Sequence, residues 1–354
     1  MTTSTGKMKA AVWYGPRDLR VEERPIPEVV DGSVLVAIKA CAICGSDLRI
    51  YNEGNARIRE PRIIGHEIAG EIVAVGRGVE RFQVGNRISV GADVPCGKCA
   101  HCLAGRANCC DTNLAIGHQF DGGFAEYICL DPIVVELGPV RSFTTDIPYE
   151  MAALAEPLAC CINGFELAMM RPGNSVVIFG TGPIGIMLSL LARHYEASQV
   201  ILIEPSETRR ELARKFGPAT LIDPTQTDVV QAVMDLTGGL GADTIFTACP
   251  AVETHTQALA MVAKRGVVNF FGGLPKSAPP IQLLSNHVHY RESYITGSHG
   301  SVPRQHAMAL DMIESGSVDM KKIITDIIGL DEIVSGIAKA RAGDAMKVVI
   351  APAL

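Results

Sequence analysis

At 354 residues the chain is too long for one ordinary core, and at ~100–200 residues per domain its length points to two domains. Hydrophobic residues make up 47% and charged residues 20%, the balance of a soluble globular protein with a sizeable core. The net charge of −6 is spread without a basic block, which argues against nucleic-acid binding and says little about the charge of a substrate.

The first eight residues are polar and lack the apolar stretch of an export signal, so the cytoplasm is the expected location. From Met8 to about Ile133 the pattern predicts short strands, among them 10–14, 34–40, 68–75, 86–90 and 124–129. Gly, Pro and Asp punctuate them, as in a barrel-like β domain. A helical stretch follows over about 149–170.

From Asn174 the rhythm changes to strands alternating with helices. Strands are predicted at 175–179, 200–203, 219–222, 244–247 and 266–271. Helices are predicted from the glycine turn at 180–185 to 194, and at 207–216, 229–236 and 253–263. This alternation implies βαβ units and a parallel sheet, so the fold class is α/β. The apolar run 175–192 is interrupted by Gly180, Gly182, Pro183 and Gly185, which makes it a strand, a turn and a helix, with no membrane span. The tail reads as helices 304–315 and 331–341 and a strand 347–350.

Gly180-Thr-Gly182-Pro-Ile-Gly185 directly follows an apolar strand and opens a helix. In that context Gly180 permits a tight turn, Gly182 lets backbone approach a pyrophosphate, and Gly185 allows close helix–strand packing. The next strand ends in Glu204, a carboxylate placed to accept hydrogen bonds from ribose hydroxyls and to repel a 2′-phosphate, so NAD is favoured over NADP. Arg209 and Arg210 just beyond read as solvated helix charges, or as attractants for that phosphate.

The chain holds eleven cysteines, too few and too scattered for a disulfide framework. Cys96, Cys99, Cys102 and Cys110 form C-x2-C-x2-C-x7-C, spacing that can close a tetrahedron around a structural zinc; Cys109 could replace Cys110 on spacing alone. Cys129, Cys160, Cys161 and Cys249 read as small buried hydrophobes. Three further fragments carry zinc-competent groups: Cys44-Gly-Ser46-Asp, Gly65-His66-Glu67 and Ala155-Glu156-Pro-Leu158. Each alone is weak, and Cys41-x-x-Cys44 also fits a redox pair.

In this order and combination, these motifs resemble the zinc-containing medium-chain dehydrogenase family, in its sorbitol (iditol) and threonine dehydrogenase branch, over nearly the whole chain from Met8. The resemblance implies a GroES-like β-barrel catalytic domain over 1–157 and 298–354, interrupted by a Rossmann doubly wound parallel-sheet domain over 158–297 that binds NAD. It implies two zinc ions per chain, one catalytic and one structural, a small-molecule alcohol as partner, no membrane, and a homo-oligomer, tetramer or dimer. The implied reaction is oxidation of a secondary alcohol of a polyol or sugar alcohol to a ketone. L-threonine-like and phosphorylated-polyol substrates are alternatives, and a nucleotide-binding scaffold or sensor is the non-enzymatic one.

By the same resemblance Cys44 and His66 bind the catalytic zinc, with Glu67 ligating directly, or Glu156 ligating or holding the zinc's water. Ser46 relays the substrate proton. Ile184, Glu204 and Arg209 contact NAD, Leu274 and Ser298 follow strands lining the nicotinamide, and Lys347 lies near the pyrophosphate. One residue departs from the branch: the relay usually ends in a His where this chain has Arg49, a guanidinium that cannot accept a proton.

Overall fold

The computed structural model describes residues 6–354; residues 1–5, most of the polar start, lie outside the described residues. The chain divides into two units, Met1–Ala159 with Gly300–Leu354, and Cys160–His299.

The first unit is built on β-structure. Strands Lys7–Gly15 and Asp18–Pro25 form an antiparallel hairpin. A seven-stranded sheet runs in the order Val140–Phe143, Arg87–Val90, Glu67–Val75, Val34–Ala42, Lys347–Ile350, Ile324–Ile328, with Tyr127–Leu130 also paired to Val34–Ala42. Its core gathers Trp13, Val36, Ile64, Ile68, Ile72, Phe124 and Ile350, all 1% exposed or less. The last strand thus re-enters the sheet of the first residues, with Val349 opposite Ala42. That insertion carries residue 347 to the middle of the unit.

Several elements differ from the sequence pattern. The predicted strand 124–129 forms regular pairing only over Tyr127–Leu130, because residues 124–126 exchange backbone hydrogen bonds with residues 9, 11 and 64 instead. The stretch 149–170 breaks at Leu154 into Tyr149–Ala153 and Ala155–Leu167. Strand Ile324–Ile328 and helix Pro132–Leu137 were not foreseen. Cys161 is buried as expected, whereas Cys129, Cys160 and Cys249 are half-buried.

The second unit is a six-stranded, wholly parallel sheet. Its spatial order is Thr220–Ile222, Gln199–Ile203, Ser175–Phe179, Ala242–Thr247, Val262–Phe270, Tyr294–Gly297. In chain order this is 3-2-1-4-5-6, the doubly wound arrangement whose ligand crevice opens where the order reverses, at the carboxyl ends of Ser175–Phe179 and Ala242–Thr247. Every residue of Ser175–Phe179 is buried, as a strand covered on both faces must be. The helix predicted over 253–263 ends at Met261, because Val262 already pairs with Ala242 as strand. Among the described residues no helix is long and apolar enough to cross a membrane.

Candidate active site

Two clusters of metal-competent side chains lie in the first unit. The first is local. The sulfurs of Cys96, Cys99, Cys102 and Cys110 all lie within 4.8 Å of one another. Zinc–sulfur bonds of ~2.3 Å place the corners of a tetrahedron ~3.8 Å apart, and Cys96 Sγ lies 4.0 Å from Cys102 Sγ. Backbone N–H groups of Cys96, Cys99 and Cys102 each donate to a neighbouring cysteine sulfur at 3.4 Å. Such bonds favour thiolate on Cys96, which those from Lys98 and Cys99 hold down at about 6, whereas burial and the neighbouring sulfurs push Cys102 up to about 12. None of the eleven cysteines forms a disulfide, and it is the Cys110 sulfur that lies with the other three, while Cys109 is exposed outside the cluster.

The second cluster is assembled from distant positions. Ligand atoms of Cys44, His66 and Glu67 lie within 4.8 Å of one another. Cys44 caps the first turn of helix α1 (Gly45–Glu53), and His66 precedes the strand Glu67–Val75. Gly65, at φ +92°, turns the chain there; a Cβ on it would fall 2.9 Å from the Phe124 ring, so only glycine lets the loop close before His66. His66 and Glu67 are 5% and 0% exposed.

Charges around this cluster are arranged in pairs. Asp47, fully buried, accepts the Cys44 N–H at 2.9 Å and faces His66 Nδ1 across 3.5 Å. Burial opposes a charge on His66, but the neighbouring Asp47 and Cys44 outweigh it and hold its pKa well above the usual imidazole value. With Nδ1 turned to Asp47, Nε2 is the nitrogen facing the cluster, and Ser46 Oγ lies 3.3 Å from it. Lys347 Nζ sits 2.6 Å from the Glu67 carboxylate; burial disfavours its charge, yet Glu67 keeps the ammonium protonated.

Lys347, expected near a cofactor pyrophosphate, is paired here with Glu67. At 5% exposure its ammonium is already matched to a buried carboxylate, the stable solution for an ion out of water. Glu156 is not one of the three converging groups. It lies close enough to feel His66, Glu67, Asp93 and Lys347, and burial above all pushes its carboxyl up to about 8. Cys41 is wholly buried and its thiol is pushed well up by burial, which removes the redox-pair reading of Cys41 and Cys44.

In the second unit the glycine loop lies at the switch point of the sheet. Gly180, at φ +92°, continues from Ser175–Phe179, and a Cβ on Gly185 would stand 1.9 Å from the Gly180 carbonyl oxygen. A Cβ on Gly182 would meet nothing within 4 Å, so the backbone there presents open space to a ligand. Ile184 is half-buried on the helix Pro183–His194 that the loop opens. Glu204 is 4% exposed. Its Oε2 accepts from Thr181 N–H and Oγ1 at 2.9 and 3.1 Å, and its Oε1 from Ser206 N–H at 3.0 Å. Of a carboxylate's roughly four acceptor positions this leaves about one, on Oε1, for a ribose hydroxyl.

Arg210 is spent on Asp223 at 2.8 Å and on the carbonyls of Glu204 and Pro205, while the Arg209 guanidinium has no hydrogen-bond or ion-pair partner among the described residues. Leu274 lies in the loop after Val262–Phe270, and Ser298, following Tyr294–Gly297, donates to Asn269 Oδ1 at 2.9 Å. Both follow the carboxyl ends of parallel strands, as the glycine loop does. Sequence reasoning named Asp47 only as part of a motif and missed its brace to His66. The loop of His118 packs along residue 65: a Cβ on Gly117 would fall 3.1 Å from the Gly65 oxygen.

Comparison with known proteins agrees with this geometry. Residues 30–138 match the family description "Alcohol dehydrogenase GroES-like domain", and residues 183–315 match "Zinc-binding dehydrogenase". The chain is 32% identical to a sorbitol dehydrogenase of Bacillus subtilis, covering 98% of this chain and 97% of that one. It is 36% identical to an L-threonine 3-dehydrogenase of Pyrococcus furiosus, with 97% of each covered. A solved structure from Sinorhizobium meliloti 1021, described as a zinc-binding dehydrogenase bound to NADP, superposes with a TM-score of 0.91 at 31% identity, covering 98% of this chain and 100% of that one.

Proposed function

The chain belongs to the zinc-containing medium-chain alcohol dehydrogenase family, and from that premise we propose that it oxidises a secondary alcohol of a polyol or sugar alcohol to the ketone, with NAD as oxidant. The observation that carries the reading is the convergence of Cys44, His66 and Glu67, a thiolate, an imidazole and a carboxylate, beside the hydroxyl of Ser46. Three protein ligands leave a tetrahedral zinc one position for substrate, whereas the four-cysteine cluster leaves none. When bound, zinc supplies Lewis acidity toward the alcohol oxygen, and the nicotinamide supplies the hydride acceptor.

The chain's own residues do the rest. Cys44, His66 and Glu67 would hold the metal, and Asp47 fixes the ring of His66 through Nδ1, leaving Nε2 for the ion. Lys347 balances the Glu67 carboxylate, so the buried site does not accumulate unpaired negative charge. Ser46 Oγ takes the alcohol's proton and passes its own to water, since Arg49 cannot accept it. Cys96, Cys99, Cys102 and Cys110 would hold a second zinc, with no position left open for substrate. On the other unit, the N–H groups at the start of Pro183–His194 cradle the pyrophosphate, and Glu204 favours NAD through its remaining acceptor position.

The test is an NAD-linked panel of polyols, L-threonine and sugar phosphates, with zinc quantified per chain. Zinc-dependent turnover of a polyol supports the proposal. A zinc-loaded chain that oxidises no alcohol in the panel overturns it in favour of a nucleotide-binding scaffold.

A further inference from the structure

We propose that Arg49 makes this chain a dehydrogenase for alcohols that carry an oxyanion, a phosphate or a carboxylate, set back from the carbinol. The inference deepens the preceding reading and rests on it. Cys44, Ser46 and Arg49 climb the first two turns of α1 in sequence. Residues three apart on a helix have Cβ atoms about 5–6 Å from each other, so Arg49 stands one turn above the hydroxyl that touches His66 at 3.3 Å. Its guanidinium is exposed and has no hydrogen bond or ion pair among the described residues.

Several other cationic or titratable groups of this unit have partners of their own. Lys347 is held by Glu67, and Arg62 pairs with Asp121 at 3.0 Å. Arg57 Nη2 donates to the Asn113 carbonyl. His118 is fixed as a neutral ring: its Nδ1–H points to the Ile116 carbonyl at 3.4 Å, and Nε2 accepts from Asn55 Nδ2 at 3.4 Å. That direction is set because Asn55 Oδ1 already accepts the Arg57 N–H at 2.9 Å. On the anionic side, Asp47 and Glu67 are committed within the cluster. Glu53, four residues on from Arg49, is exposed and forms no ion pair with it; such a surface pair is weak and would yield to a ligand.

Among the described residues Arg49 is therefore a cation without a counter-ion, one helical turn from the Ser46 hydroxyl. A neutral polyol gives a guanidinium only weak partners, whereas its planar fork fits the two oxygens of a carboxylate or phosphate. Where the branch usually has an imidazole, a permanent charge exchanges proton relay for anion recognition.

Two matched pairs test this with the zinc-loaded full chain, first at saturating NAD and then with NAD varied: sorbitol 6-phosphate against sorbitol, and L-threonine against L-threoninol. Steady-state kcat/KM and calorimetric binding are read for wild type, Arg49→Leu and Arg49→Lys. At least one charged member is expected to exceed its neutral partner by ~10-fold or more, the size of a charge-assisted hydrogen bond. Arg49→Leu should collapse that ratio by a similar factor, and Arg49→Lys should keep part of it for phosphate. The pair that shows the effect tells phosphate from carboxylate. A ratio unchanged by Arg49→Leu overturns the proposal, as does a rise in KM for NAD shared by charged and neutral alcohols, which would assign the guanidinium to the cofactor's phosphates. If no alcohol turns over, a charge preference in binding that disappears with Arg49→Leu upholds the anion site and sinks the dehydrogenase reading alone.

Discussion

The two metal-competent clusters of the first unit solve different problems. The cysteine lobe draws four sulfurs from fifteen consecutive residues, and local backbone N–H groups steady the thiolates. The Cys44, His66 and Glu67 cluster sets two buried groups and a half-buried thiol together and needs the counter-ions that make burial tolerable, and one counter-ion, Lys347, lies 280 residues away from its partner. A closed site needs only a loop of the right spacing. An open site needs the whole fold around it, because its fourth corner must stay vacant while its charges remain balanced.

The sharpest division between the two is between stability and turnover. Cys102→Ser is expected to lower the unfolding free energy of the unit by more than about 4 kcal/mol, as loss of a structural metal does, measured by urea unfolding. Cys44→Ser is expected to lower kcat/KM at least about a thousandfold, roughly 4 kcal/mol of transition-state stabilisation, with urea stability nearly unchanged and NAD still bound. The reverse pattern would mean that the two clusters have exchanged roles.

A third buried imidazole isolates what countercharge does. His306, fully buried, is held only by Ser89: Ser89 Oγ donates to the Ala152 carbonyl and so accepts from His306 Nε2 at 3.2 Å. With no anion beside it, burial pushes its pKa down to about 4 from 6.5, opposite to His66. The unfolded chain therefore takes up this proton first as pH falls. Stability from the neutral ring is full above pH 6.5 and is lost progressively down to about 4, by about 3 kcal/mol. His306→Leu should flatten the stability–pH profile across that window; an unchanged slope would show that the ring titrates normally. The smallest expected effect belongs to the brace. Asp47→Asn keeps the shape but removes the charge facing His66, and should weaken zinc at the open site by about 10–100-fold while leaving the cysteine lobe loaded.

Much of this was legible in the sequence because it is local. The C-x2-C-x2-C-x7-C spacing, the glycine turn between an apolar strand and a helix, and the alternation from Asn174 onward each depend on near neighbours. The fold class followed from that alternation. What stayed hidden depends on which strand lies beside which. Lys347 reaches Glu67 only because the final strand inserts next to Val34–Ala42. Glu67 and Glu156 were indistinguishable as candidate ligands until the folded chain placed Glu67 with Cys44 and His66, and left Glu156 as a buried, raised carboxyl beside them. Strand Ile324–Ile328, with Thr325 and Asp326 interrupting its isoleucines, carried too weak a pattern to be seen.

The central claim is that one cluster performs chemistry while the other maintains shape. Stepwise chelation of the zinc-loaded chain, with zinc content, turnover and near-UV circular dichroism followed together, tests it most directly. The account predicts two losses: one zinc leaves with all turnover and an intact fold, and the second leaves with the tertiary signal. Turnover that survives loss of the first zinc while the fold persists, or a chain that never held more than one, would contradict it.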